Sequence, residues 1–597
     1  MNRNDEKFLH DVSKPERTMS YPSNLTNRRD IRTYIARETK RRLQIIDACR
    51  EDILQLRKLH NNLASVNALP VEILSQVFVY LLSPPGAPIK QGHAKFLKVA
   101  HVCHRWRTIA LENPMLWTSF PLHHAEMVEQ CVNRSGQLPL TVSLTQGMPE
   151  SIPQLVSPAS YRVRSIWIST KSVSDVGQLL SCFGSAPLLE YLHVEASGND
   201  PRASFDSPVR PSVPLLFNGH VPSLRYLVLR DVQLLFPPPN TLRHLELGAH
   251  LIDHHLPSVK EVLDILANCP ELEALKLSGL CQDWEFVDQR NVARRKVELS
   301  QLRWLTLGLD SAADNAEILS QLSVPEQARI RIATTLGDEE NFSDIIHAYS
   351  PDSPHALRCV DKVRAVQLYW HDSRLWLRAP RGGVRKTLLD CYGDVALEVK
   401  ASGDWGESPY AVGGFLDGRW PFDASHVEAL AIVFSGISKE SDDEEGPREL
   451  MRLPQWTTVL GTLPALKTVS LISLHPLELD PLVDLWAGID GEVYCSKLES
   501  LEFRELEMSE RTMEGVYDIA VKRPAGRPDG GFRAMCFLDC GTPSQAQYEG
   551  DEWAVKLAEL GVKVVIDGKV VEAGSRSADP AQRSSLQPRS ISSRTSA

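Results

Sequence analysis

The chain has 597 residues, of which 43% are hydrophobic, so it is long enough for several domains or one elongated array of repeats. Its net charge of −11 argues against a dedicated binder of nucleic acid or acidic membranes. Its 11 cysteines form no CxxC pair, which indicates free thiols in a reducing compartment. Because no apolar leader and no apolar run of about 18 residues occurs, we expect a cytoplasmic or nuclear protein that contacts neither membrane nor nucleic acid.

The first structured element is expected to be one long helix. Residues 1–26 are polar and aperiodic, which is typical of disorder. Residues 27–66 predict an amphipathic helix from about Asp30 to Ser65, without proline or glycine. Its apolar seam has the three-and-four spacing of a heptad and comprises Ile46, Cys49, Ile53, Leu56, His60 and Leu63. We favour a helix that folds back on its own chain, and a dimerisation helix is the alternative.

Residues 67–120 predict a compact unit of three helices. Pro70 suits a helix start because its missing N–H has no intrahelical partner there. The first helix has one broad apolar face, made of Ile73, Leu74, Val77, Phe78, Leu81 and Leu82. The segment Ser83–Pro88 ends it, and a second helix runs from about Ala94 into His101. A third helix is expected to carry Val102, Cys103, Trp106, Ile109 and Ala110 on one face.

From residue 121 to 573 one pattern recurs, in which apolar residues stand at the first, fourth and sixth positions. Copies begin at Leu189, Leu224, Leu242, Leu272, Leu302, Leu466 and Leu498, and weaker ones at Val163, Val363 and Val427. Helix-like segments such as Val259–Leu266 lie between copies. A strand and a helix repeating every ~20–30 residues is typical of a leucine-rich-repeat array. A doubly wound α/β domain is the alternative, but no glycine-rich phosphate loop follows any strand.

Stacking such units makes one continuous core and a large strand face. The leucines point into that core, so the residues between them should face a partner. These include Tyr226, Val228, His244, Glu246, Ala274, Lys276, Trp304 and Thr306. Tyr226, His244, Lys276 and Trp304 are our candidate substrate-binding residues, since exposed aromatic side chains are enriched in binding hot spots. Packing against a neighbouring strand is the alternative for the two aromatic side chains.

Two polar segments are expected to lie outside this core. The acidic run Ser438–Glu445, in an insertion at 438–446, is interpreted as a solvated, disordered segment, and a binding tail is the alternative. The tail at 574–597 is rich in serine and arginine, which favours disorder. We therefore expect substrate recognition on the strand face and not at the acidic run.

The segment Leu69-Pro70-Val71-Glu72-Ile73-Leu74, followed by Val102-Cys103-His104-Arg105-Trp106 and Pro114-Met115-Leu116-Trp117, closely resembles an F-box. The preceding helix and Arg134–Val142 resemble the large F-box families of mushroom-forming fungi. The resemblance implies an α/β chain, with an N-terminal helix and a three-helix F-box before a leucine-rich-repeat solenoid. By position, the residues at the Skp adaptor interface or in the small core beneath it would be Leu69, Pro70, Ile73, Leu74, Val102, Cys103 and Trp106. The sequence does not separate these two roles.

The resemblance also implies a function, that of a substrate-recognition adaptor in a cullin–RING (SCF-type) ubiquitin ligase. The F-box would bind the Skp adaptor and the array an unknown protein substrate. One alternative is an F-box scaffold acting outside ubiquitin transfer. Another is a plain repeat-array binding protein whose F-box-like segment only caps the array.

Catalytic chemistry is not expected. No nucleophile elbow, phosphate loop or acid–base pair of carboxylates stands out, so we predict no catalytic residue and no enzyme. The adjacent pairs His123–His124 and His254–His255 have no partner at metal spacing. We therefore predict neither a metal site nor a cofactor.

Overall fold

The computed structural model describes residues 27–80, 95–144, 149, 151–170, 176, 180, 183–196, 217, 221–232, 239–248, 259–279, 296–309, 312–335, 360, 363–371, 374–380, 395–402, 420–435, 453–474, 476–488, 494–524, 531–540 and 552–573. The chain divides into two compact units. The helical unit comes from Met1–Phe120 and Gln130–Leu138, and the sheet unit from Pro121–Glu129 and Pro139–Ala597. The expected disordered ends, the Ser83–Pro88 segment and the acidic run lie outside the described residues.

The helical elements of the N-terminal region are α1 (Arg28–Asn62), α2 (Val71–Val79), α3 (Lys95–Ala100), α4 (His104–Glu112) and α5 (Ala125–Arg134). The side chain of Asn27 caps α1 by accepting a hydrogen bond from the Arg29 N–H. None of the 35 residues of α1 is buried, so the expectation that this helix folds back on its own chain is wrong.

Helix α4 begins later than the periodicity predicted. The Cys103 sulfur caps it by accepting a hydrogen bond from the Trp106 backbone N–H at 3.5 Å. Val102 therefore precedes the helix and is 57% exposed, whereas we expected it on the apolar face. The Arg107 guanidinium donates to the Ala100 carbonyl at 2.8 Å, which ties α4 to the end of α3. Local capping, which a periodicity argument ignores, sets this boundary.

The core of the helical unit is small and comes from three elements. Its fully or nearly fully buried side chains include Leu74, Phe78, Ile109, Ala110, Leu116 and Trp117. The Trp117 indole N–H donates to the Ala110 carbonyl at 2.9 Å, and the Arg134 guanidinium lies 5.1 Å from the Trp117 ring centre. The Pro114–Trp117 turn, which Asn113 caps, thus closes the core against α4.

The remaining described elements are mostly strands, with helices between some of them. The strands are β1 (Ser119–Pro121), β2 (Leu140–Leu144), β3 (Val163–Thr170), β4 (Tyr191–Ala196), β5 (Tyr226–Arg230), β6 (His244–Gly248), β7 (Ala274–Ser278), β8 (Val297–Glu298), β9 (Trp304–Gly308), β10 (Leu322–Ser323), β11 (Arg329–Thr335), β12 (Ala365–His371), β13 (Arg374–Pro380), β14 (Val395–Ser402), β15 (Ala429–Ser435), β16 (Thr468–Ile472), β17 (Ser500–Arg504), β18 (Ala534–Leu538), β19 (Lys563–Ile566) and β20 (Lys569–Val571). The helices are α6 (Ile152–Val156), α7 (Val259–Ala267), α8 (Ala312–Gln321), α9 (Leu453–Gly461), α10 (Pro476–Ala487), α11 (Glu510–Lys522) and α12 (Glu552–Glu559).

The main sheet is mostly parallel and follows chain order over long stretches. Strands β2 to β7 pair in sequence, β9 follows β7, and β11 follows β9. Strands β15 to β19 do the same. Every one of the ten predicted copies of the repeated pattern overlaps one of these strands or β12. A doubly wound sheet reverses its strand order partway, and these stretches do not.

The same turn precedes many strands and explains the first leucine of the pattern. The N–H of Leu242 donates to the Pro239 carbonyl, that of Leu272 to Cys269 and that of Leu302 to Leu299, at 3.0 to 3.2 Å. Each of these leucines is at most 2% exposed. The turn therefore buries the leucine just before the chain becomes extended.

Three strands in the middle depart from the expected order. Spatially the order is β11, β14, β13, β12 and β15. Strand β13 is antiparallel to both of its neighbours, whereas β14 is parallel to β11 and β12 is parallel to β15. The sequence predicted one copy at Val363 and no meander. Strands β13 and β14 carry no copy of the leucine pattern, so the pattern could not reveal them.

Candidate functional site

Helix α2 separates a buried face from an exposed apolar stripe. Leu74 and Phe78 are buried at 0% and 1% exposure. Ile73, Val77 and Tyr80 are 43%, 48% and 88% exposed, and their spacing of four and three residues places them on one side of the helix. Pro70, three residues before Ile73, is also exposed. We call Pro70, Ile73, Val77 and Tyr80 the apolar stripe.

The predicted adaptor-binding residues divide between surface and core. Pro70, Ile73 and Val102 are exposed, and Leu74 is fully buried, so Leu74 packs the core in the free chain. Leu69, Cys103 and Trp106 are half-buried. Cys103 caps α4 through its sulfur, and Leu69 contributes a backbone carbonyl to the network of Asn67. The structure therefore separates the exposed residues of this set from the buried one, a distinction that the sequence did not make.

Asn67 organises the start of α2, and sequence reasoning missed it. Its side-chain oxygen accepts a hydrogen bond from the Trp106 indole N–H at 2.6 Å, and its amide N–H donates to the Asn61 carbonyl at 2.6 Å. The Arg105 guanidinium donates to the Leu69 carbonyl at 2.7 Å and also to the Asn67 carbonyl. The Trp106 ring packs 5.0 Å from that of Phe78. These contacts hold the segment before α2 against α4 and so position the apolar stripe.

On the sheet unit, a row of aromatic side chains crosses adjacent strands. In register, Tyr191, Tyr226, His244, Ala274 and Trp304 occupy equivalent positions of β4, β5, β6, β7 and β9. The Tyr226 ring lies 6.0 Å from that of Tyr191 and 5.9 Å from that of His244. Tyr226 and Trp304 nevertheless remain 43% and 47% exposed. Tyr226 thus packs on its neighbours and still leaves part of its ring exposed.

Three residues between the leucines are covered, although the pattern placed them on the open face. Val228 is 4% exposed, Glu246 is 8% exposed and His193 is 3% exposed. The Trp167 ring stacks on the His193 ring with centres 3.6 Å apart. Long side chains reach across the narrow spacing of neighbouring strands and cover shorter ones. We therefore correct the expectation that Val228 and Glu246 are presented to a partner.

Glu246 is held between two cations from the neighbouring strands. Arg230 and Lys276 each donate to its carboxylate at 2.8 Å. Burial alone would raise the pKa of Glu246, but the hydrogen bonds from Lys276 and Arg230 outweigh it and lower that pKa. Lys276 therefore serves first as a partner of Glu246, and its side chain is still 41% exposed.

Two histidines on this face are held in the neutral form. Burial lowers the pKa of His244, and Glu246 only partly opposes the shift. Burial also lowers the pKa of His193 to about 4, although a hydrogen bond to Glu195 acts in the opposite direction. Near neutral pH both rings therefore act as flat, uncharged surfaces for stacking and hydrogen bonding.

The row of charged side chains that contains Glu246 and Lys276 continues through β9 and β11 to β14. Glu246, Lys276, Thr306 and Arg331 are successive partners in register, and Arg331 pairs with Glu398 of β14. The Glu398 carboxylate accepts hydrogen bonds from Arg331 at 2.5 Å and from Arg378 at 3.0 Å. Sequence reasoning could not find this cluster, because the pairing of β11 with β14 follows from the meander.

The described residues provide neither a metal-binding cluster nor a membrane-spanning helix. No group of three or more His, Cys, Asp or Glu side chains in that part of the chain is placed to hold a metal ion. Among its helices, none combines the length and the apolar character needed to cross a bilayer. His254–His255 lies outside the described residues, and the His123 and His124 rings lie 4.5 Å apart.

Residues 66–122 match the protein-family model described as F-box-like, so the chain contains an F-box-like domain. No curated protein matches the chain. Among solved structures, a chain in the crystal structure of the TLR13-ssRNA13 complex is similar at 10% sequence identity and a TM-score of 0.22. That match covers 74% of this chain and 44% of the other, so this chain spans less than half of that protein's length. At this TM-score the likeness does not bear on fold or function.

Proposed function

We propose that this protein is a substrate-recognition adaptor of a cullin–RING ubiquitin ligase. Its F-box-like domain binds the Skp adaptor, and its sheet unit, a leucine-rich-repeat array, holds a protein substrate. The observation that carries the proposal is the apolar stripe of α2 inside the segment that matches the F-box-like family. Ubiquitin transfer belongs to other subunits, and this chain contributes proximity between two bound proteins without a catalytic group.

The exposed stripe supports adaptor binding on energetic grounds. Ile73, Val77 and Tyr80 leave much of their apolar surface in water, although Leu74 and Phe78 on the same helix are buried. Burying apolar area contributes about 25 cal/mol per Å², so covering such a stripe with a partner is favourable. Asn67 and Arg105 hold its start in place before binding, which lowers the ordering cost of association.

Adaptor binding can be tested with matched valines. We expect Val77→Asp to abolish co-purification of the Skp adaptor, because a carboxylate would be buried in an apolar contact. Val570 of β20 is 56% exposed, against 48% for Val77, so Val570→Asp is the matched control and should bind normally. If Val77→Asp still binds the Skp adaptor as well as the wild type does, the proposed interface is contradicted. That result would favour the alternative in which the F-box-like segment only caps the array.

A repeat array is supported by two independent features of the sheet unit. The pattern with leucine at its first, fourth and sixth positions recurs at spacings such as the 30 residues from Leu242 to Leu272. The corresponding strands pair in parallel and in register. The strand face between the leucines then presents Tyr226 and Trp304, which suits recognition of a protein surface.

Substrate binding can be tested by proximity labelling with and without proteasome inhibition. We expect labelled proteins that accumulate under inhibition and that are lost in a chain carrying Tyr226→Ala and Trp304→Ala. Tyr517 of α11 is 39% exposed outside the strand face, so Tyr517→Ala is the control and should keep them. Partners that bind but do not accumulate would favour a scaffold outside ubiquitin transfer. Loss of partners on deleting Ser438–Glu445, with no loss in the double variant, would contradict strand-face recognition.

A further inference from the structure

Helix α1 carries an apolar face that nothing in the described part of the chain covers. Ile35, Ile45, Ile46, Ile53, Leu56, Leu59 and Leu63 are between 45% and 85% exposed, and Cys49 is exposed as well. At 3.6 residues per turn these eight side chains fall within an arc of about 140°. We call them the α1 face. Leu43 and Leu54 are equally exposed but lie on the opposite side of the helix.

The α1 face is long, which suits another helix of equal length. From Ile35 to Leu63 it runs about 42 Å at 1.5 Å per residue. Long helices in proteins gain most of their stability by packing an amphipathic face, and no residue of α1 is buried by the described part of the chain. Cys49 lies midway between Ile35 and Leu63. A two-fold axis that passes beside Cys49 would therefore bring the α1 faces of two antiparallel copies into full overlap.

The charges of α1 decide the relative direction of two such helices. Residues 28–42 contain seven basic and two acidic residues, a net charge of +5, whereas residues 43–62 contain three of each and are neutral. In a parallel pair the two +5 halves would lie side by side and repel. In an antiparallel pair each +5 half lies beside a neutral half.

The charged residues that lie within the α1 face also favour the antiparallel arrangement. The Glu38 carboxylate accepts a hydrogen bond from Arg42 at 3.1 Å, and both lie among the apolar residues. Antiparallel pairing about Cys49 places Glu38 near His60 of the second copy and Arg42 near Leu56 of the second copy. Parallel pairing would place Glu38 against Glu38 and Arg42 against Arg42. Like charges at such close range are unfavourable.

We propose that two copies of this chain associate through their α1 faces as an antiparallel helix pair. A contact about 42 Å long and roughly one helix diameter wide buries on the order of 800 Å² in total, below the range of stable complexes. The dimer is therefore reversible and dissociates on dilution. It joins two F-box-like domains and two strand faces in one assembly, and it does not depend on the proposed ligase function.

The test measures the mass of the full-length protein by sedimentation over a concentration series. We expect the mass to rise from 66.7 kDa toward twice that value as concentration increases. Leu56→Glu should remain monomeric throughout. Leu54→Glu adds the same charge on the opposite side and should dimerise like the wild type. Both positions are exposed, so neither substitution should impair folding.

The direction is tested by disulfide trapping in chains that also carry Cys49→Ser. Oxidation of Ile35→Cys mixed with Leu63→Cys should give a 35–63 crosslink between chains, and Ile35→Cys alone should give none. A 35–35 crosslink, or association that strengthens steeply with salt, would overturn the antiparallel arrangement. A wild type that stays monomeric would overturn the dimer itself, as would a dimer that Leu56→Glu leaves intact. If the wild type is monomeric and Leu56→Glu loses binding to the Skp adaptor, the α1 face binds that adaptor and not a second copy.

Discussion

Asn67→Ala tests whether the polar network before α2 stabilises the F-box-like domain. The substitution removes the acceptor of the Trp106 indole N–H and the donor to the Asn61 carbonyl, both at 2.6 Å. Asn67 itself is 8% exposed, so its partners face the protein interior at these contacts. The substitution does not change the apolar stripe, so the stability of the domain should fall while its exposed binding residues stay the same.

The size of the effect follows from the two hydrogen bonds. Each contributes about 1 kcal/mol net, and a buried group left without a partner costs about 1–3 kcal/mol more. Trp106 and Asn61 are half-buried, so water can reach them in part and the penalty falls at the low end. We therefore expect Asn67→Ala to destabilise the domain by about 2–3 kcal/mol. Trp106→Ala, which also removes the ring that packs on Phe78, should cost about 3–5 kcal/mol.

Hydrogen exchange of the full-length protein, read on peptides from α2 and α4, measures this locally. A loss of about 2–3 kcal/mol corresponds to exchange roughly 30- to 160-fold faster, at 1.36 kcal/mol per factor of ten. Peptides from β16 in the sheet unit should be unchanged. Trp106→Phe keeps a ring but removes the indole donor, so with Asn67→Ala it completes a double-mutant cycle. Additive effects of the two substitutions would refute the hydrogen bond as the source of the stability.

Three further predictions concern the sheet unit. Because the pKa of His193 is about 4 in the folded chain and near 6.5 when unfolded, the unfolded chain gains the proton first. Stability should therefore fall by up to about 3 kcal/mol from pH 6.5 to pH 4, and His193→Phe should flatten this loss in exchange measurements on β3 and β4. Gly515→Ala would place a methyl group 2.5 Å from the buried Val483 side chain and should lower the free energy of unfolding by about 1–3 kcal/mol, seen as a lower melting temperature. Gly461→Ala meets nothing within 4 Å and should leave the melting temperature unchanged. Arg523 donates to three backbone carbonyls at 2.7 to 3.0 Å, so Arg523→Lys, which cannot reach all three, should cost about 2–4 kcal/mol in denaturant unfolding.

The position of the strands was readable from the sequence, because it depends on short-range periodicity. Each copy of the leucine pattern places its apolar side chains at steps that a turn followed by a strand buries together. The copies at Leu242, Leu272 and Leu302 accordingly coincide with β6, β7 and β9. The turn between β19 and β20 also carries a local signal in the sequence. Asp567 and Gly568 both have positive φ and form the turn between β19 and β20, as expected of an Asp-Gly hairpin.

The roles of individual residues on α2 required the tertiary structure. Periodicity marks Ile73, Leu74, Val77 and Phe78 alike as apolar, and the packing of α4 decides which of them are covered. Trp106 of α4 packs on Phe78, so Leu74 and Phe78 become core and the other two remain at the surface. A sequence pattern defines the width of an apolar face but not the direction from which its partner approaches.

The amino-acid sequence by itself determined the F-box-like segment, the long helix and the strands of the leucine pattern, because each depends on residues close together in the chain. Only the tertiary structure decided the exposure of α1, the reordering of β12 to β14 and the burial of Glu246. These features depend on contacts between distant residues, such as Arg331 with Glu398 or Lys276 with Glu246. Strand pairing at long range sets those contacts, and no local periodicity encodes it.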